Sequence, residues 1–204
     1  MNIWHDIAAD KIKPEQFVGV VEIPSGSKNK YELDKKTGLL RLDRVLFTST
    51  HYPANYGFIP LTYAQDGDPL DVLILSQVQL DPLVMVDCHP IGVIRMIDQD
   101  EIDDKIIAVP DHDPNYSPYH EISELPSHVA SEIIHFFEVY KSLEHKSTTT
   151  SEAMGAKVAR DIISDCMERY QVHFRGKEFT AKMLQQETAL EENLPDGKEH
   201  KTNK

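Results

Sequence analysis

Between Phe17 and Pro110 the chain is a train of short β-rich runs broken by turn residues, and this rhythm restricts the fold more than any other feature. The runs are Phe17–Ile23, Lys30–Leu33, Leu39–Phe47, Asp71–Leu75, Val84–Met96 and Lys105–Val109. Pro24-Ser25-Gly26-Ser27, Lys35-Lys36-Thr37-Gly38 and Asp66-Gly67-Asp68-Pro69 punctuate them as turns. Closing so many short strands into a barrel removes their exposed edges, so a closed barrel is expected. After residue 120 the apolar period lengthens. Val129, Ile133, Phe136, Phe137 and Tyr140 recur at helical spacing between Pro126 and Glu144, and Ala159, Ile162, Ile163, Cys166 and Tyr170 do so between Ser151 and Tyr170. Two helices packed on a small closed barrel make an α+β fold.

With 204 residues the chain has material for one sizeable core, placed here in residues 1–175, while residues 176–204 read as a polar tail, mobile or partly helical around Met183–Leu190. A net charge of −13 argues against a generic nucleic-acid surface, which needs clustered Lys and Arg. A polyanion still fits if carboxylates first gather divalent cations. The N-terminus carries early charge and no apolar run of signal-peptide length, and no stretch approaches a membrane span; a cytoplasmic protein is expected. Cys88 and Cys166 lack zinc-type spacing and read as free buried thiols.

Chemistry concentrates in Asp66-Gly67-Asp68-Pro69-Leu70-Asp71-Val72, where an acidic loop runs into the apolar strand Val72–Leu75. Hard divalent ions prefer such oxygen ligands. A polar turn alone would account for Asp-Gly-Asp, but not for a third carboxylate at the mouth of a buried strand. Asp98-Gln99-Asp100-Glu101-Ile102-Asp103-Asp104-Lys105 is a second carboxylate cluster; alone it reads as a solvated hairpin loop, and with the first it offers ligands for a two-metal site. Lys30 and Glu32 share one face of a strand, Tyr52-Pro53-Ala54-Asn55-Tyr56-Gly57 forms an aromatic loop, and Arg44 adds a guanidinium suited to phosphate oxygens.

Taken in order, Val21-Glu22-Ile23-Pro24, Lys30-Tyr31-Glu32, Asp43-Arg44, Tyr52–Gly57, Asp66–Val72 and His135-Phe136-Phe137-Glu138-Val139-Tyr140-Lys141 closely resemble the soluble family I inorganic pyrophosphatases. The resemblance implies a five-stranded OB-like barrel and magnesium-dependent hydrolysis of pyrophosphate to two orthophosphates, with Mn²⁺ or other divalent ions as alternatives to Mg²⁺. It also implies Asp66, Asp71 and Asp103 as principal metal ligands, with Asp98 and Glu32 serving further ions, and Asp68 as general base for the attacking water. Lys30, Arg44, Tyr56, Lys105, Tyr140 and Lys141 match phosphate-contacting positions, and Glu22 and Tyr52 support the site. The expected partners are pyrophosphate and further copies of the chain, a homohexamer as in bacterial members, with neither nucleic acid nor membrane.

His89 stands where bacterial members often carry Arg, and Val139 where some carry His. Neither is a metal ligand; both bear on subunit contacts. Three other readings compete. An EF-hand fails because its sixth and twelfth positions would be Asp71 and Gln77. A nucleic-acid-binding OB barrel could use the tyrosines for stacking, against the acidic balance. Another two-metal phosphohydrolase, such as a phosphodiesterase, shares the same oxygen chemistry.

Overall fold

A computed structural model describes residues 2–98, 101–144 and 148–175, except the side chains at 98 and 152. Eight strands are present among these residues: β1 (Phe17–Ile23), β2 (Asn29–Leu33), β3 (Leu40–Val45), β4 (Asn55–Ile59), β5 (Leu70–Ile74), β6 (Met85–Asp98), β7 (Glu101–Pro110) and β8 (Thr148–Gly155). The helices are α1 (Ser127–Val139) and α2 (Ala156–Tyr170), the latter extended by a π-helical turn, Gln171–Arg175. Hydrogen bonding runs β1-β4-β5-β7-β6 and returns from β6 to β1, so five strands close a ring. The expected barrel is therefore present. All its pairings are antiparallel except β5 with β7. β8 adds to the outside of β6, and β2 and β3 form a separate hairpin.

Burial on both faces explains why β1 and β5 read as nearly continuous apolar runs. Alternate residues serve two cores. Leu70, Val72, Ile74, Ile106 and Ala108 join Ala159, Ile162, Ile163 and Cys166 of α2. Leu73, Leu75, Ile107 and Val109 join Ile133, Phe136 and Phe137 of α1. Each large apolar side chain so enclosed contributes about 1.5–3 kcal/mol relative to exposure. Gly57 permits the closest approach: a Cβ there would lie 1.9 Å from the Val20 carbonyl oxygen of the neighbouring strand.

Several boundaries differ from the sequence reading. The aromatic loop ends at Ala54, since Asn55, Tyr56 and Gly57 belong to β4. The second carboxylate cluster is mostly ladder rather than loop, with Asp98 paired to Glu101 and Met96 to Asp103. Residues 151–155, read as the start of the second helix, belong to the strand β8, and α2 starts at Ala156. The Thr148-Thr149-Thr150 run carries β-branched propensity without apolar alternation, so periodicity alone passes over it. Both helix ends are completed from a distance: Glu121 Oε2 accepts the Ala156 N–H at 2.9 Å, and the Thr148 hydroxyl donates to the Phe137 carbonyl. Cys88 and Cys166 are buried and free, as expected. The tail reading for residues 176–204 lies outside the described residues. No helix among the described residues is long and apolar enough to cross a membrane.

Candidate active site

Register assembles the floor of the site. β5 and β7 run parallel with Asp71 opposite Lys105, and the period of two places Asp103 on the same face as Lys105. Asp104 falls on the other face and is held by both Nε and a terminal nitrogen of Arg95, at 2.8 and 2.9 Å. The Lys105 ammonium, 3% exposed, forms an ion pair with Asp71 and another with Asp103 at 2.6 Å, and donates to the Tyr56 hydroxyl at 3.1 Å. Tyr56 in turn donates to Asp71 Oδ2 at 2.5 Å. Burial works to lower the Lys105 pKa, but the carboxylates of Asp103 and Asp71 hold it well above the usual lysine value.

Above this floor stands the loop carrying Asp66 and Asp68. Gly67 adopts φ +83°, a conformation that disfavours any residue with a Cβ, and the resulting turn lets Asp66 Oδ1 accept the Asp68 N–H at 3.0 Å. From the hairpin come Lys30 and Glu32, paired with each other, and Lys35, paired with Asp68. Lys30 also lies 3.3 Å from Asp43. Tyr140 and Lys141, just past α1, complete the wall.

A cavity of about 300 Å³ brings together Glu22, Lys30, Glu32, Tyr56, Asp66, Asp68, Asp71, Asp103, Lys105, Tyr140 and Lys141, eleven of the expected positions. Tyr52 does not line it; the ring lies beneath, 5.4 Å from Tyr56 and 4.9 Å from Phe136, as a packing support. Arg44 stands beside it, donating to Glu144 at 2.8 Å and paired with Asp43, while its Nη2 is buried with no partner among the described residues. The Asp98 side chain lies outside the described residues. Sequence reasoning passed over Trp4 and Lys35, which also line the cavity. Lys35 stood in a stretch read only as a turn, and Trp4 comes from a segment far from every motif.

The donor set suits divalent cations. Six carboxylates and four lysines line the cavity, leaving negative charge in excess. Asp66 is pushed up to about 6 by burial and then by the charges of Asp71, Asp103 and Asp68. Burial and Asp71 raise Glu22, 7% exposed, to about 8, although the Leu33 N–H donates to its Oε1 at 2.7 Å. Carboxylates this reluctant to ionise are first short of water and then beside like charge, and a bound cation would relieve both. With Lys105 between Asp71 and Asp103, no three carboxylates among the described residues converge on one ion-sized point. The lysine supplies part of the positive charge the cluster calls for.

A small closed barrel with a cavity lined by carboxylates and lysines fits the class of enzymes that could bind divalent cations together with phosphate oxygens. Comparison with known proteins makes the assignment specific. The inorganic pyrophosphatase family matches over residues 19–171. Soluble inorganic pyrophosphatase 2 of Chlamydomonas reinhardtii is 48% identical over 171 residues, 84% of this chain and 89% of that protein. The soluble inorganic pyrophosphatase of Oryza sativa subsp. indica is 50% identical over 167 residues, 82% and 78% of the two chains. Among solved structures, the inorganic pyrophosphatase from Thermus thermophilus superposes with a TM-score of 0.80 at 40% identity, covering 84% of this chain and 99% of that one. The chain belongs to the inorganic pyrophosphatase family.

Proposed function

We propose that the protein hydrolyses pyrophosphate to two orthophosphates, with magnesium as the working ion. The observation that carries this reading is the interleaving, in one 300 Å³ cavity, of carboxylates for divalent ions with lysine and tyrosine donors for phosphate oxygens. The buried, unpartnered Arg44 Nη2 adds a donor suited to an anionic oxygen.

Asp66, Asp71 and Asp103 are assigned as principal metal ligands, with Glu32 and Asp98 for ions that accompany substrate. When bound, divalent ions would neutralise phosphate charge and acidify the attacking water. Asp68 takes that water's proton as its oxygen bonds to one phosphorus and the bridging P–O bond breaks toward the other phosphate. Lys30, Arg44, Tyr56, Lys105, Tyr140 and Lys141 hold the phosphate oxygens in line. Glu22 and Tyr52 support these groups from below. Catalysis of this kind is chiefly positioning and charge stabilisation, so no serine, cysteine or histidine nucleophile is needed.

Phosphate release from pyrophosphate, measured with Mg²⁺, with Mn²⁺ and without metal, tests the reading. Turnover with Mg²⁺ is expected, and none with any divalent ion would reject it. Asp68→Asn keeps the shape but removes the proton acceptor; a loss of about 10²–10⁴-fold in kcat with an unchanged Tm is expected. The assembly is assigned as a homohexamer by resemblance to bacterial members, and sedimentation velocity checks it.

A further inference from the structure

Lys35 reaches from the β2–β3 turn to Asp68 Oδ1, yet nothing in the chemistry above uses it. The two side chains are 49% and 54% exposed, so as a stability contact the pair contributes little. Several separate contacts nevertheless hold the lysine in place. Asp34 Oδ1 accepts the N–H groups of Lys36 and Thr37 at 3.1 and 2.9 Å and the Thr37 hydroxyl at 3.0 Å, while Oδ2 takes Arg41 at 2.7 Å. These bonds, the Thr37 N–H first and Arg41 next, draw Asp34 down to about 2 and fix the turn that presents Lys35. The Asn2 amide donates to the Lys35 carbonyl at 3.0 Å, and the Lys35 ammonium lies 5.5 Å from the centroid of the Trp4 ring.

Trp4 also braces the other partner. It is 3% exposed, and its indole N–H donates to the Thr62 carbonyl at 2.9 Å while its own carbonyl accepts the Leu61 N–H at 3.0 Å. The Thr62 hydroxyl oxygen accepts the Leu70 N–H at 2.8 Å, which ties together the two ends of the loop carrying Asp66 and Asp68. One buried residue thus sets both the lysine and the loop that bears its carboxylate partner.

We propose that Lys35, steadied by Trp4 and Asn2, is a positioning residue for Asp68: it engages Oδ1 and leaves Oδ2 oriented to take the proton. This rests on the reading of Asp68 as general base. An exposed aspartate on a loop otherwise samples several rotamers, and a misplaced base slows the chemical step without weakening substrate binding.

The test is steady-state kinetics on magnesium pyrophosphate for Lys35→Met and Lys35→Arg, with the fluorescence of Trp4, the sole tryptophan, read in the metal-free protein. Lys35→Met is expected to lower kcat about tenfold with KM within about twofold and an unchanged Tm, and to shift Trp4 emission; Lys35→Arg restores most of the rate. In an Asp68→Asn background, Lys35→Met adds no further loss. Unchanged kcat, an additive loss in the double variant, or a raised KM with intact kcat would each overturn the proposal, the last by making Lys35 a phosphate contact. Absence of turnover in the unmodified protein would instead overturn the pyrophosphatase reading beneath it.

Discussion

On the floor of the cavity Lys105 is 3% exposed and bridges Asp71 and Asp103 across two strands; at the rim Lys35 is half exposed and meets Asp68 from a turn. The residue types are the same and the energetics are opposite. Lys105 on the floor has lost its water and its carboxylate partners keep only part of theirs, so the ammonium depends on both, and deleting it leaves two half-buried carboxylates facing each other without compensation. Charges at the rim keep their water, and the pair contributes geometry rather than stability. A site built this way joins two kinds of support: Asp71, Asp103 and Lys105 stand on barrel strands, while Asp68 and Lys35 stand on a loop and a hairpin turn.

The largest expected effect that tests this contrast is on the floor. Lys105→Met leaves two half-buried carboxylates without their ammonium and is expected to destabilise the metal-free protein by about 1–3 kcal/mol in denaturant titrations, part of it recovered by Mg²⁺. A loss no greater than at the rim would dissolve the distinction. Next comes Glu22. Its folded pKa, about 8, lies above the ordinary 4.5, so its stabilising contribution is complete below pH 4.5 and is lost as pH rises through 8. The metal-free protein should therefore lose on the order of a few kcal/mol across that window, and Glu22→Gln should flatten the slope. A slope unaltered by the substitution would remove Glu22 as its source.

Smaller effects sharpen the picture. Asp71→Ala should raise the Mg²⁺ concentration needed for half-maximal rate by about tenfold, seen in a magnesium titration. An unchanged requirement would remove Asp71 from the metal ligands. Arg95→Met, on the opposite face of the same ladder as Asp103, should change stability by less than about 1 kcal/mol and leave the rate intact. Adjacent carboxylates, Asp103 and Asp104, would then differ only by which face of β7 carries them.

Much of this molecule was legible in its sequence because the relevant signals are local. Turn residues and β-rich runs gave four of the five barrel strands, helical spacing gave α1 and α2, and the Asp66–Val72 stretch marked one wall of the cavity. β8 escaped because a threonine run has no apolar rhythm, and β4 because its first residues continue an aromatic loop. Trp4 and Lys35 escaped for another reason. Neither belongs to a motif, and their meaning comes from a contact between the N-terminal segment, a hairpin turn and a loop more than thirty residues further on.

By itself, then, the sequence determined which groups were available: the carboxylates, the lysines, the phenols and the order of strands that carry them. Only the tertiary structure decided which of them meet. The parallel register of β5 with β7 put Lys105 between Asp71 and Asp103, strand alternation sent Asp104 away, and closure of the ring withdrew the floor from water. Charge and hydrogen-bonding capacity belong to a residue, but desolvation and distance, which set the strength of both, belong to the fold.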